Sequence, residues 1–115
     1  MFKLKRVYEK PEKSDGWRVL IDRLWPRGLT KQAAAVDHWL KEIAPSDALR
    51  KKFHDDENWG DFEKKYRVEL RDKNDELTQI KQMEKEHGTV TLLYGRKDDK
   101  HNQATVLLDV LKGRR

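Results

Sequence analysis

The chain has 115 residues, no cysteine and a formal net charge of +5, and 41% of its residues are charged. This length suits one domain that folds around an apolar core without disulfides or a structural metal. The lack of cysteine excludes disulfides, thiolate metal sites and cysteine nucleophiles. We therefore expect a single domain over residues 1–115, with a flexible basic tail at residues 113–115.

The N-terminal residues and the hydropathy of the chain bear on its location. Residues 1–6 alternate charged with apolar side chains and lack the apolar run of a secretory signal. No apolar run approaches the roughly 20 residues of a membrane span. We expect a cytoplasmic protein without a membrane partner. The charge excess is modest, and it favours polyanionic partners only weakly.

Two strands are predicted in the first quarter of the chain. Residues 2–8 alternate in the period of a strand, and their lysines are typical of a sheet edge. A turn-rich loop follows. Residues 17–21 form a short run rich in aliphatic side chains, which is typical of a strand buried on both faces. Pro26 and Gly28 then end the strand and shape a loop.

Helices are predicted through the middle of the chain. Thr30 can cap a short helix over residues 31–35. Residues 36–44 fit either a helix or a strand, and we favour the strand. Ser46 is a suitable N-cap for the next helix, and Asp56 for the one after it. That later helix carries apolar side chains at helical spacing, namely Trp59, Phe62, Tyr66 and Leu70.

The last third of the chain predicts a helix, a strand and a final helix. The helix spans residues 75–86 and ends at Gly88. Residues 89–94 form a second buried strand, and apolar residues from 104 to 111 mark the final helix. Alternating strands and helices predict an α/β fold with an open, mostly parallel sheet of three or four strands flanked by helices. Ligands bind such sheets at the carboxyl ends of the strands.

The segments at these strand ends resemble the signature blocks of the YeaO-like proteins, catalogued as DUF488, a domain of unknown function. The most specific block is Asp-Arg-Leu-Trp-Pro-Arg-Gly at residues 22–28. Further similar blocks lie at residues 39–46, 49–54, 59–70 and 90–104. The resemblance covers nearly the whole chain. It implies a small stand-alone α/β protein, and it implies no particular reaction.

Two departures from the family pattern bear on the site. Residues 95–97 read Gly-Arg-Lys where small residues such as alanine are expected, which adds positive charge. Some wider relatives carry cysteines proposed as catalytic, and this chain has none. The resemblance therefore implies no thiol mechanism here.

An arginine pair in the first block is the leading candidate for ligand binding. Arg23 and Arg27 flank Trp25 and a proline that limits loop motion, and guanidinium groups grip carboxylate or phosphate at two points. The alternative is structural: Arg23 would pair with Asp22 or another buried acid to lock the loop, and Trp25 would belong to the core. The sequence leaves both interpretations open.

The helix after residue 45 adds further candidates. Arg50 and His54 are four residues apart and extend the arginine patch along one helix face. Asp22 and His54 are the candidates for proton transfer, although a surface histidine is the simpler interpretation of His54. Ser46 offers a helix N-terminus to an anion, but the neighbouring Asp47 would repel one, so a plain N-cap is favoured.

The loop after the second buried strand completes the candidate site. Tyr94, Asp98 and Asn102 are candidate ligand contacts. Asp98 could cap the final helix while Asn102 hydrogen-bonds a ligand; in the alternative, both side chains only satisfy backbone groups of the loop. No metal site or cofactor is predicted, because the histidines lack ligand spacing and no glycine-rich nucleotide motif occurs. The four histidines are His38, His54, His87 and His101.

Three functions remain compatible with the sequence. The first is a site for a small anionic or nucleotide-like ligand at the strand ends, whether bound or also acted upon. The second is a nucleic-acid-associated module using Arg96, Lys97, Lys100 and the terminal arginines. The third is a protein-interaction domain using exposed aromatic residues such as Trp17 or Trp59.

Overall fold

The computed structural model of the protein describes residues 1–113 and contains an all-parallel sheet. Within these residues four strands lie in the order β1-β4-β2-β3. They are β1 (Phe2–Arg6), β2 (Trp17–Leu20), β3 (His38–Trp39) and β4 (Val90–Tyr94). The predicted α/β fold and parallel sheet are confirmed, with β1 at an edge as expected. Arg114 and Arg115 of the predicted tail lie outside the described residues.

The helices largely follow the predicted segments. Thr30 and Ser46 are confirmed as N-caps, because their side chains accept the amides of Ala33 and Leu49. Gly88 ends a helix as predicted, with a φ of 80°. No helix within residues 1–113 is long and apolar enough to cross a membrane. The helices are α1 (Lys31–Ala34), α2 (Asp47–Asp56), α3 (Trp59–Arg71), α4 (Asn74–His87) and α5 (Gln103–Leu111).

Two predicted caps were wrong. Asp56 is the last residue of α2, and Asn58 caps α3 by accepting the amide of Asp61. Asp56 instead accepts the amide of Asn58, so it shapes the turn between the helices. Likewise Asn102, rather than Asp98, caps α5. In both cases two polar side chains lie before the start of the helix, and the one directly before its first residue is the N-cap.

The ambiguous stretch from residue 36 to 44 is a strand only in part. Its strand, β3, contains two residues that pair with Val19 and Leu20 of β2. The chain then turns at Leu40 into a short 3-10 helix, Lys41–Ile43, which carries Ile43 into the core. The strand ends early because the 3-10 helix, rather than continued sheet pairing, buries the apolar side chain of Ile43.

The two central strands bury both of their faces, as predicted for residues 17–21 and 89–94. On one face Val19 and Leu92 belong to a large core formed with apolar side chains of α2, α3, α4 and α5. On the other face Leu20 and Leu93 pack with Val7 and with Ala34 of α1. The sheet is therefore covered on both sides, and its polar strand ends are left to form a site.

A buried ion cluster lies on the smaller face and was not predicted. Arg18 of β2 is 4% exposed, and its Nη1 lies 2.5 Å from Oδ2 of Asp15. The Lys5 ammonium lies 3.1 Å from Oδ1 of the same carboxylate. Burial alone would raise the pKa of Asp15, but hydrogen bonds from the Glu12 amide, Lys5 and Arg18 outweigh it, so the pKa is lowered. Asp15 thus holds two cations inside the fold.

We expect Asp15→Asn to lower the free energy of unfolding by about 3 kcal/mol, because it leaves Arg18 buried without its counterion. Urea denaturation at pH 7 measures this loss. Lys52→Gln is the control, since Lys52 forms equally short ion pairs with Asp56 and Asp61 but is exposed. We expect no measurable loss for the control. Equal losses in both variants would contradict the assignment of the buried cluster.

Candidate functional site

A cleft of about 670 Å³ opens at the carboxyl ends of β2 and β4. Its walls come from the loops that follow these strands, from residues 44–47 and from α2. This volume lies within the range of small-molecule sites, and the position is the one at which parallel sheets bind ligands. Of the ten predicted site residues, those that line the cleft are Asp22, Arg23, Trp25, Arg50, His54 and Asn102.

Asp22 joins the ends of the two central strands. It follows β2, and its Oδ2 accepts the amide of Gly95, which follows β4, at 2.8 Å. Its Oδ1 accepts a short hydrogen bond from the side-chain amide of Gln103, at the start of α5. A Cβ on Gly95 would lie 2.9 Å from Asp22 Oδ2, so a larger residue at position 95 would force the carboxylate to shift. Backbone and side-chain donors therefore fix the carboxylate in one orientation.

Burial dominates the electrostatics of Asp22. Desolvation raises the pKa of this carboxyl to about 6, against the opposing effects of the Gly95 and Gln103 hydrogen bonds and the Arg50 charge. Keeping Asp22 ionised in the folded protein therefore lowers the free energy of unfolding. A half-buried carboxyl that titrates near neutrality in a cleft is a common property of functional sites.

Arginine side chains reach the cleft from three segments. Arg23 donates to the carbonyls of Ala44 and Pro45 at 3.1 and 3.3 Å, and Arg50 on α2 donates to Asp47 at 3.2 Å. The guanidinium of Arg96 lies over the ring of Phe53, 4.6 Å from its centroid. Arg23 therefore has structural partners, but these are two carbonyls and, at 4.0 Å, the exposed carboxylate of Asp47, rather than Asp22 or a buried acid.

Aromatic and apolar side chains form the remaining wall. Phe53 and Phe62 pack together with ring centroids 4.8 Å apart, and both line the cleft. Trp25 also lines it and is fixed by donating to the carbonyl of Leu29 at 2.7 Å. Leu24 lies at the rim with 64% of its surface exposed. The cleft therefore combines charged groups with an apolar surface, as ligand sites commonly do.

Ser46 acts as a closed helix cap. Its hydroxyl donates to Oε2 of Glu69 at 2.6 Å, and its amide donates to Oε1 at 2.9 Å. The same hydroxyl accepts the amide of Leu49 at 3.2 Å. The Glu69 carboxylate from α3 thus occupies this amide and hydroxyl at the start of α2, where an external anion would otherwise bind.

The remaining predicted site residues lie around the cleft. Arg27 is exposed and outside its lining, and Tyr94 is buried at 4% exposure, also outside the lining. Asp98 accepts the amides of Lys100 and His101 within its own loop. Asn102 lines the cleft, but its side chain donates to the Asp98 carbonyl and accepts the Thr105 amide. These last two residues satisfy backbone groups, as the alternative interpretation required.

Gly95, Arg96 and Gln103 line the cleft and were not among the predicted site residues. Arg96 was noted only as added charge and as a nucleic-acid contact, and the glycine only as a departure from the family pattern. Gln103 had no signal of its own in the sequence. Gln103 is the first residue of α5, which begins at the edge of the sheet where the parallel strands end. Its position in the predicted fold was therefore the available clue.

The residues of the nucleic-acid and protein-interaction hypotheses differ in exposure. Arg96, Lys97 and Lys100 are exposed on one loop. Trp17 and Trp59 are half-buried and stack against His87 and His101, so the assumption that they are exposed was wrong. Within residues 1–113, no group of three or more histidine, aspartate or glutamate side chains could hold a metal ion.

Related proteins place the chain in a family. The family described as "Inactive DUF488-N3 subclade" matches residues 1–114. The chain is 44% identical over 109 residues to the uncharacterized protein YeaO of Escherichia coli K12, covering 94% of both chains. It is 36% identical over 110 residues to the uncharacterized proteins Rv3073c of Mycobacterium tuberculosis and Mb3100c of Mycobacterium bovis, covering 95% of this chain and 92% of theirs. No solved structure matches. The chain therefore belongs to the YeaO-like proteins of the DUF488 family, in the subclade described as inactive.

Proposed function

We propose that the cleft binds a small anionic or nucleotide-like ligand and holds it without catalysing a reaction. The observation that carries this proposal is the convergence of Arg23, Arg50 and Arg96 on one cleft with an apolar wall. Guanidinium groups bind carboxylate and phosphate through paired hydrogen bonds, and the apolar wall accommodates the rest of the ligand.

The charge balance of the cleft supports an anionic ligand. Its described lining carries four cationic side chains, from Arg23, Arg50, Lys51 and Arg96, and two acidic ones, from Asp22 and Asp47. Asp47 already pairs with Arg50 and lies 4.0 Å from Arg23. Because Asp47 is exposed, an incoming anion can displace it at little cost.

Binding without catalysis fits the chemistry of the lining better than an enzyme does. No serine, threonine or cysteine lines the cleft as the described residues form it. His54 is exposed, so it lacks the enclosed setting of most proton-transfer groups. The family description of the subclade as inactive agrees with this choice. Asp22 then acts in recognition rather than in proton transfer.

We expect Arg50→Met to weaken the binding of ribose phosphate at least about tenfold, since one charged hydrogen bond contributes about 1.5–3 kcal/mol. Isothermal titration calorimetry of the full chain measures the Kd. Arg27→Met is the control, because Arg27 was also predicted to bind the ligand but lies outside the cleft lining.

An equal loss in Arg50→Met and Arg27→Met would contradict the cleft as the site. Nucleic-acid binding would appear as high affinity for an oligonucleotide, lost steeply with added salt and lost in Lys97→Gln and Lys100→Gln. Absence of binding by ribose phosphate and by every other small anion would overturn the proposed function.

We expect Asp22→Asn to stabilise the protein above pH 7 and to leave its stability nearly unchanged at pH 4. The folded-state pKa is raised from 3.8 to about 6, so the folded chain binds this proton more tightly than the unfolded chain. Wild-type stability therefore falls as the pH rises from about 4 to about 6, and the loss reaches about 3 kcal/mol. Arg50 and Tyr66 face the same group and are unchanged in the variant.

Thermal unfolding of wild type and Asp22→Asn at pH 4 and pH 8 measures the difference. Asn can keep the Gly95 hydrogen bond through its oxygen and can donate to a rotated Gln103 amide. Asp99→Asn, at an exposed position outside the cleft lining, is the control for charge removal. A variant that is less stable than wild type at pH 8 would contradict the assigned ionisation.

A further inference from the structure

We propose that the ligand carries N–H donors in addition to its acidic group and that Asp22 accepts hydrogen bonds from those donors. This inference rests on the proposed function and names the chemical class of the ligand. It begins from the orientation of the carboxylate. One oxygen of Asp22 accepts the Gly95 amide and the other accepts the Gln103 side chain. A carboxylate oxygen has two acceptor positions, so each retains one.

The cleft needs such a partner for Asp22. A half-buried carboxylate beside arginine side chains would repel an anion that met it directly. The protein nevertheless fixes it with two donors and with a glycine that allows close approach of the backbone. Donors on the ligand remove this repulsion and occupy the remaining acceptor positions. Asp22 then discriminates among anions that the arginines alone would accept.

Gln103 supports the same class of ligand. Its amide nitrogen donates to Asp22, which leaves its carbonyl oxygen as a second acceptor beside the carboxylate. Two adjacent acceptors match two adjacent donors. Arg50 is close enough to Asp22 to lower its pKa, so the acid-binding group and the acceptor pair belong to one site. The acid group and the donors of the ligand would therefore bind within one cleft.

Two kinds of small molecule carry this chemistry. A nucleotide with a guanine base presents a ring N–H and an amino group together with its phosphate. An amino acid presents an ammonium group beside its carboxylate. Both offer an acid to the arginines and N–H donors to Asp22. Leu24 and Trp25, the more exposed apolar side chains of the lining, can contact a ring of either kind.

Titration calorimetry with two matched pairs of probes tests the inference and distinguishes these sources. Guanosine monophosphate is compared with purine riboside monophosphate, which has the same ring system without N–H donors on the base, and phenylalanine with phenylpropionate. Within each pair only the first member carries the N–H donors. We expect the donor-bearing member of one pair to bind at least about tenfold more tightly, as hydrogen bonds to a charged group require.

The Asp22→Asn variant should change the two members of that pair in opposite directions. Binding of the donor-bearing probe weakens, because the charged acceptor is lost. Binding of the donor-free probe tightens, because repulsion is removed. Gln103→Met keeps the Asp22 charge but removes the donor that orients it, so it should also reduce the preference. Asp99→Asn, outside the cleft lining, should preserve the preference.

The outcomes separate this inference from the function on which it rests. A preference in the nucleotide pair or in the amino-acid pair, lost in Asp22→Asn, supports the inference and identifies the source. Equal binding within both pairs overturns the inference and leaves the anion site standing. A preference that survives Asp22→Asn also overturns it. If no probe binds, the proposed function falls together with the inference.

Discussion

The hydrogen bond from the Gly95 amide to the Asp22 carboxylate is the contact around which the cleft is built. Parallel pairing of β2 with β4 brings the ends of both strands to one edge of the sheet. Asp22 can lie this close to the next strand end only because residue 95 has no Cβ. The same carboxylate then holds Gln103 at the start of α5. One side chain thus joins two strand ends and a helix.

Arginines hold the loops around this contact by donating to backbone carbonyls. Arg6 of β1 donates to the carbonyls of Arg96 and Gly95 at 3.0 and 3.3 Å. Arg23 does the same for the segment before α2. Carbonyls at strand ends have no ladder partner, so these cations replace the missing donors and limit loop motion. Among the described residues Arg50 and Arg96 make no such backbone contacts; Arg50 instead pairs with the exposed Asp47, and Arg96 lies over the ring of Phe53.

The sequence predicted the fold well because its periodic signals are local. Buried strands at residues 17–21 and 89–94, and helices with regular apolar spacing, follow from neighbouring residues alone. The misassigned caps, Asp56 and Asp98, arose where two polar residues compete for one turn. The site was predicted less completely, because Gln103 and Glu69 meet partners that are distant in sequence. Nothing within a few residues of Glu69 indicates that it meets Ser46, 23 residues away.

The Glu69 contact limits what the start of α2 can offer to the ligand of the proposed function. Because this carboxylate accepts hydrogen bonds from the amide and hydroxyl of Ser46, the start of α2 offers an anion less than an open helix N-terminus would. Under the proposed function, recognition therefore depends on side chains, above all on guanidinium groups, which bind in a fixed planar geometry. In that proposal the fixed Asp22 carboxylate adds the opposite charge, by which the site would distinguish ligands according to the positions of their acceptors and donors.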